Sequence, residues 1–350
     1  MPPRATPHPL PRFSDPMQEQ IIAGHLDNLG FLPVIRLLKD AVQDLPRHAD
    51  PVTPHHILDV TRGAGVAEPL DTVLKALHEA RPDAQIQLHR RPSSVPISPE
   101  VLSSLGNHLL PDIVCREGGL FHPYCGDQQG QADMALSIMH LQFLSKVPPP
   151  PPSSESRSTE DLVWGMLRSG EASQRAKEDI THFFQARAKE LRRGGQLVFS
   201  LVLRDPLSDL TGARLMDRYM CTLEDMHREG LLSSSEVSSL VLPVHLRSDD
   251  EINDALAAAK GDFYVAEYAE HRACMTAWPI FDDGRISSQV YGQACAAVVR
   301  GLVQRWGRLR LGDERWPEIE GVLERRVAAR VAADPTPGWV RFAYVRMERM

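Results

Sequence analysis

The strongest constraint on how this chain folds is a series of short apolar segments that alternate with amphipathic ones. HHILDV (55–60) is apolar and partly β-branched, runs into TRGAG, and is followed by PLDTVLKALHEA (69–80), whose apolar residues recur at helical spacing. This reads as strand, glycine-containing turn and helix. Further strands are expected at AQIQLH (84–89), DIVCR (112–116), ADMALSI (132–138), GGQLVFSLVLR (194–204), GDFYVAEYAEH (261–271) and WVRFAYVRM (339–347). Helices are expected over 172–192, stopped by Gly194-Gly195, and over 286–305 and 315–333. A first helix, from Met17 to about Leu45, should be kinked or divided by Pro33. Such alternation predicts a mostly parallel α/β sheet with right-handed crossovers, closed by a partly antiparallel edge.

The punctuation of the chain predicts its organisation. Residues 1–16 are Pro-rich and expected to be disordered. Residues 17–204 form the core, with five consecutive prolines and a Ser-rich run making 148–160 a loop. Residues 205–260 break the alternation, are mostly helical, and are expected to cap the carboxyl edge of the sheet; 261–350 complete the core. With 350 residues, 42% of them hydrophobic, a normal core is expected.

Several function classes are disfavoured. The net charge of −7 is spread along the chain, whereas a nucleic-acid surface needs a concentrated basic patch. No apolar run is long enough to span a membrane, and the start, MPPRATPHPLPRF, lacks the apolar segment of a signal peptide, so a cytoplasmic protein is expected. The five cysteines are widely spaced with no CxxC pair and read as free thiols. The 14 histidines form no HxxxH or HExxH pattern, and His55 and His56 face opposite ways on a strand, so no metal site is expected. The GxSxG of serine hydrolases is absent.

In an open α/β sheet, ligands bind at the carboxyl ends of the strands. Asp59 closes the first strand, and Gly63 and Gly65 let backbone amides approach a polar ligand. The third glycine of the dinucleotide fingerprint is missing.

Five segments, in order, carry a family resemblance. SIMHLQFLSKVP (137–148) is similar to S-S-Y-S-L-H-W-L-S-x-V-P of the SABATH family, the plant-type salicylate, benzoate and theobromine methyltransferases. EDITHFFQARAKELRRGGQLVFSLVLR (178–204), TLEDMHREGLL (222–232), VLPVHLRSDDEI (241–252) and GDFYVAEYAEH (261–271) resemble that family's later segments. The resemblance implies a Rossmann-like class I methyltransferase sheet with a helical cap, S-adenosyl-L-methionine as cofactor, and methyl transfer to oxygen or nitrogen of a small, secondary-metabolic molecule. The reaction is an in-line displacement at a sulfonium, so positioning carries most of the catalysis. A fold descendant acting as a cyclase or isomerase, or a non-catalytic binding protein, is the alternative, and a homodimer is one assembly open to such a chain.

Carried over one position at a time, the resemblance assigns cofactor binding to Asp59, Gly65 and Phe121; Gly63 of the same turn and Ser137 of the first resembling segment complete the candidate cofactor site. The family's first glycine is Thr61 here, and Leu120 replaces a serine. Its ribose-binding aspartate is Arg90, a donor where an acceptor is needed. The His-Trp pair that clamps a substrate carboxylate becomes Gln142 and Phe143, with Met216 on the cap beside them, and Asp27 stands in place of an N-terminal glutamine. Gln142 and Asp27 are the candidate catalytic residues, Phe143 and Met216 the substrate-binding ones. A carboxylate at Asp27 repels an anionic acceptor, so a neutral or amine-bearing acceptor is expected.

Overall fold

The computed structural model describes residues 31–46, 48, 53–60, 68–90, 97–111, 113–114, 121–123, 130–146, 170–206 and 213–350. Its sheet is built from β1 (His55–Asp59), β2 (Ile86–Arg90), β3 (Ile113–Val114), β4 (Ala132–Ile138), β5 (Leu191–Leu203), β6 (Phe263–Ala273) and β7 (Val340–Arg349), in the order β3-β2-β1-β4-β5-β7-β6. The first five are parallel; β7 runs antiparallel between β5 and β6. This is the class I methyltransferase α/β fold.

Each face of the sheet has its own apolar layer. On one, α1 (Phe31–Gln43), α2 (Glu68–Ala80) and α3 (Pro99–Leu105) bury Leu37, Leu38, Val73, Leu77 and Val101 against Ile57, Leu88, Leu136 and Val198. On the other, α4 (Gly170–Glu190) and α7 (Asp249–Ala259) bury Phe183, Phe184, Ile252 and Leu256 against Leu58, Leu197, Phe199 and Val345. β4 is buried along its whole length, as a central strand covered on both faces must be.

Two boundaries differ from the sequence expectation. α1 begins at Phe31, so Pro33 lies in its first turn, where a missing amide hydrogen leaves no helical bond unmade, and it introduces no kink. Residues 17–30 of the expected helix lie outside the described residues. α4 stops at Glu190, before the Gly194-Gly195 pair, because Leu191 already pairs with Ala132 of β4. The register then jumps to Met134 opposite Gln196, and Gly194 takes up the bulge at φ +76°.

A third apolar cluster lies apart from the sheet. α5 (Arg214–Arg228) and α6 (Ser234–Leu240) pack Tyr219, Met220, Leu223 and Val237 against α9 (Ser288–Ala333), with α8 (Ala277–Asp282) beside it. α9 is broken at Gly312, where φ is +81°, and folds back on itself. The two arms approach so closely that a Cβ on Gly292 would stand 2.3 Å from the Ala328 carbonyl oxygen, and one on Gly307 would stand 2.2 Å from the Trp316 ring. Val244 packs against both this cluster and the first face of the sheet, marking where the two meet.

Candidate active site

The carboxyl ends of the central strands gather most of the described candidates. Asp59 closes β1 and is buried, with Leu136 of β4 on one side in register and Arg90 of β2 on the other. Arg90 is itself only 8% exposed, so it belongs to this edge and not to the solvent. Ser137 is fully buried on β4, and its hydroxyl has no hydrogen-bond partner among the described residues. Phe121 is half-buried against the second face of the sheet. Gly63, Gly65 and Asp27 lie outside the described residues.

Immediately after β4 the chain makes a turn of unusual geometry. Met139 sits at φ +56°, left-handed space that disfavours a side chain with a Cβ, and its neighbours hold it there. Its amide donates to the carbonyl and to the hydroxyl of Ser200, both at 3.0 Å, and its carbonyl accepts from Gln142 Nε2 at 2.6 Å. Gln142 is therefore tied back by its amide nitrogen, whereas its Oε1 is buried with no partner among the described residues. His140 donates from Nδ1 to the Ile138 carbonyl at 2.6 Å, and its ring lies 6.2 Å from that of Phe143.

The turn is held by the segment that follows α6. Phe143 bridges to Val244, His245 N donates to the Gln142 carbonyl at 2.8 Å, and Leu144 N donates to the Pro243 carbonyl at 2.7 Å. Gln142 and Phe143 thus sit where the sheet meets the third apolar cluster, beside Val244. Met216 lies in the first turn of α5, half-buried against the third apolar cluster. The S-x-x-E of the fourth resembling segment is a capping box: Ser248 accepts from Glu251 N, and the Glu251 carboxylate accepts from Ser248 N at 2.9 Å. The same carboxylate also binds His245 and Ser173. Burial alone would raise its pKa, but these donors bring it down to about 2.

No sequence spacing signals the cluster at the opposite end of the sheet. His48, His55 and Asp133 bring ligand-type atoms within 4.8 Å of one another. Arg81 lies 2.8 Å from His55 Nε2, and Arg192 lies 3.3 Å from His48 Nδ1. A guanidinium can only donate, so those nitrogens accept, and the protonated ones face Asp133 at 3.6 and 3.3 Å. Arg192 pairs with the same carboxylate, and the His56 amide donates to it at 2.8 Å. This arrangement cages a carboxylate and offers a cation no lone pair from either ring. Burial works to raise the Asp133 pKa, but His55, the His56 amide and Arg192 outweigh it and hold the carboxyl below its usual range.

The histidines here give a pH prediction. Burial lowers the pKa of His48 and of His56, and Arg192 beside the first and His89 beside the second lower it further. The unfolded chain therefore takes up protons first, so stability present above about pH 6.5 is lost progressively as the pH falls below it. The urea midpoint should drop between about pH 7 and pH 5, and His56→Gln should flatten that slope; an equal slope in the variant removes His56 as its source.

Residues 129–344, more than half of the chain, match the family described as SAM dependent carboxyl methyltransferase. The chain belongs to that family. An indole-3-acetate O-methyltransferase of Oryza sativa subsp. japonica is 26% identical over 216 residues, 56% of this chain and 50% of that protein. The O-methyltransferase acrG of Aspergillus aculeatus is 29% identical over 133 residues, 37% of this chain and 34% of that protein. The chain thus spans half or less of the length of these relatives. A loganic acid methyltransferase solved with SAH superposes over 95% of this chain and 94% of its own, with a TM-score of 0.64 at 15% identity, a likeness of fold. The match includes Ser137, Gln142, Phe143 and Met216 and leaves out Asp59 and Arg90. Among the described residues no helix is long and apolar enough to cross a membrane.

Proposed function

We propose that the protein is an S-adenosylmethionine-dependent methyltransferase of a small, mostly apolar secondary metabolite that presents a hydroxyl or an amine instead of a carboxylate. The observation that carries the acceptor class is the orientation of Gln142. Its nitrogen donates one hydrogen to the Met139 carbonyl, which fixes the amide, and the buried Oε1 has no partner among the described residues. A buried acceptor atom calls for a donor, which a hydroxyl or amine supplies and a carboxylate does not.

The residues at the strand ends fit the cofactor in part. The orphaned, buried Ser137 hydroxyl and the buried Asp59 carboxyl suit polar groups at the carboxyl edge; Arg90 does not suit ribose hydroxyls, which need an acceptor there. When bound, the cofactor supplies a methyl group on a sulfonium. The chain's own part is positional: Gln142 Oε1 accepts a hydrogen bond that orients the acceptor, Phe143 walls the apolar side, and the single proton that the acceptor loses as its methyl bond forms passes to Asp27. The acidic net charge, spread along the chain, favours a free small molecule over one carried on nucleic acid, and the cytoplasm is the compartment we propose.

Three indole probes that share a ring and differ in the reacting group test the reading. Purified protein with methyl-labelled S-adenosylmethionine should label indole-3-ethanol or tryptamine and leave indole-3-acetate almost untouched. Gln142→Ala should lower kcat/KM for the labelled probe by about tenfold. Rapid methylation of indole-3-acetate overturns the acceptor class.

A further inference from the structure

Arg247 lies in the segment that follows α6 and is fully buried, 1% exposed. Its guanidinium reaches two elements at once. NH1 donates to the carbonyl of Leu141, the residue before Gln142, and NH2 donates to the carbonyl of Ala176 in α4 at 2.8 Å. Its own carbonyl accepts from Arg204 N at 2.9 Å, just beyond β5, and it bridges to Leu203. Close by, Ser145 N donates to Asp179 Oδ2 of α4 at 2.7 Å. The turn after β4 is thus fastened to α4 at Leu141 and at Ser145, and to the segment after α6 at Gln142, Phe143 and Leu144.

Burying a guanidinium is expensive, and it persists only where its donors are satisfied in good geometry. Burial lowers the Arg247 pKa to about 10, and the nearby Glu251 and Asp179 carboxylates favour the charged form, so it stays cationic at neutral pH. The planar fork spans two carbonyls in fixed directions; a lysine ammonium is a single point on a flexible stem.

We propose that Arg247 is a positioning residue for methyl transfer, a strut that sets the acceptor-facing turn at residues 139–145 and registers it against α4 and the segment after α6. The role rests on the reading that Gln142 and Phe143 face the acceptor. Arg247 touches neither reacting group. It acts by fixing the Leu141 carbonyl, and so the direction in which the next two side chains leave the backbone.

The test uses the full chain with Arg247→Met and, as the milder change, Arg247→Lys. Amide hydrogen exchange is read on peptides covering 139–146 and 242–248. In Arg247→Met both should exchange about tenfold faster, with peptides of β1, β2 and α2 unchanged, and Arg247→Lys should fall between. Binding of S-adenosylhomocysteine, read by calorimetry, should stay within about twofold of the wild type, because the strut does not touch the strand ends that would hold it. For the indole probe that the wild type methylates, KM should rise about tenfold in Arg247→Met, partly restored in Arg247→Lys. Unchanged exchange in 139–146, equal acceleration throughout the chain, or loss of cooperative melting in both variants overturns the strut. If the wild type methylates none of the probes, the acceptor reading fails while the exchange result still decides the role of Arg247 in the turn.

Discussion

Gly292→Ala should lower the stability of the protein by about 3 kcal/mol, the upper part of the range for overpacking a close contact. The added Cβ would stand 2.3 Å from the Ala328 carbonyl oxygen and 3.1 Å from the Ala332 amide nitrogen. Both are backbone atoms of the opposite arm of α9, so no side chain can turn aside to make room. The arms would have to separate, loosening Tyr291, Cys295 and Val331 in the third apolar cluster. Gly301 on the same helix is the control, since a Cβ there meets nothing within 4 Å. Gly301→Ala should stabilise by about 0.5–1 kcal/mol through helix propensity alone. Urea melts of the two variants read the difference, and a Gly292→Ala midpoint equal to the wild type would mean that the arms do not pack this closely.

Asp59→Ala should weaken S-adenosylmethionine binding by about 1.5–3 kcal/mol, ten- to a hundredfold, the cost of losing a hydrogen bond to a charged group. Asp59 ends β1 at the carboxyl edge, buried between β2 and β4, where open α/β sheets take their ligands. Calorimetric titration with S-adenosylmethionine and S-adenosylhomocysteine reads the change, and a melt of the same variant separates it from loss of fold. Unchanged affinity in a folded Asp59→Ala protein would remove the residue from the cofactor site.

The strands were legible because their signal is local. A buried parallel strand such as ADMALSI is apolar along its length, and β1, β2 and β4 lie within a residue or two of their expected limits. The end of α4 was not, since Gly194-Gly195 is a sound helix stop by propensity but Leu191 is claimed earlier by pairing with Ala132, a partner far away in sequence. At the site, Gln142 and Phe143 were found as a pair because they are adjacent in a motif that resembles a known one. The direction in which the Gln142 amide points was beyond reach, because it depends on the Met139 carbonyl in a backbone conformation that no methionine announces. Arg247, within LRSDDEI, looks like any surface arginine; its burial follows from carbonyls contributed by residues 71 and 106 positions away. The cage around Asp133 was hidden in the same way, since its side chains come from four separated stretches of chain.

The sheet is also completed out of order. β7 lies between β5 and β6 and pairs with both, yet it is the last described strand in the chain. On the ribosome, β5 therefore emerges long before its outer neighbour, with Leu197, Phe199 and Leu201 already apolar and its outer edge of amides and carbonyls bare. β6 follows with no strand of its own to join. Until β7 slides between them, the nascent protein carries two open strand edges beside its most aromatic layer, an interval in which a holdase chaperone would have the most to bind.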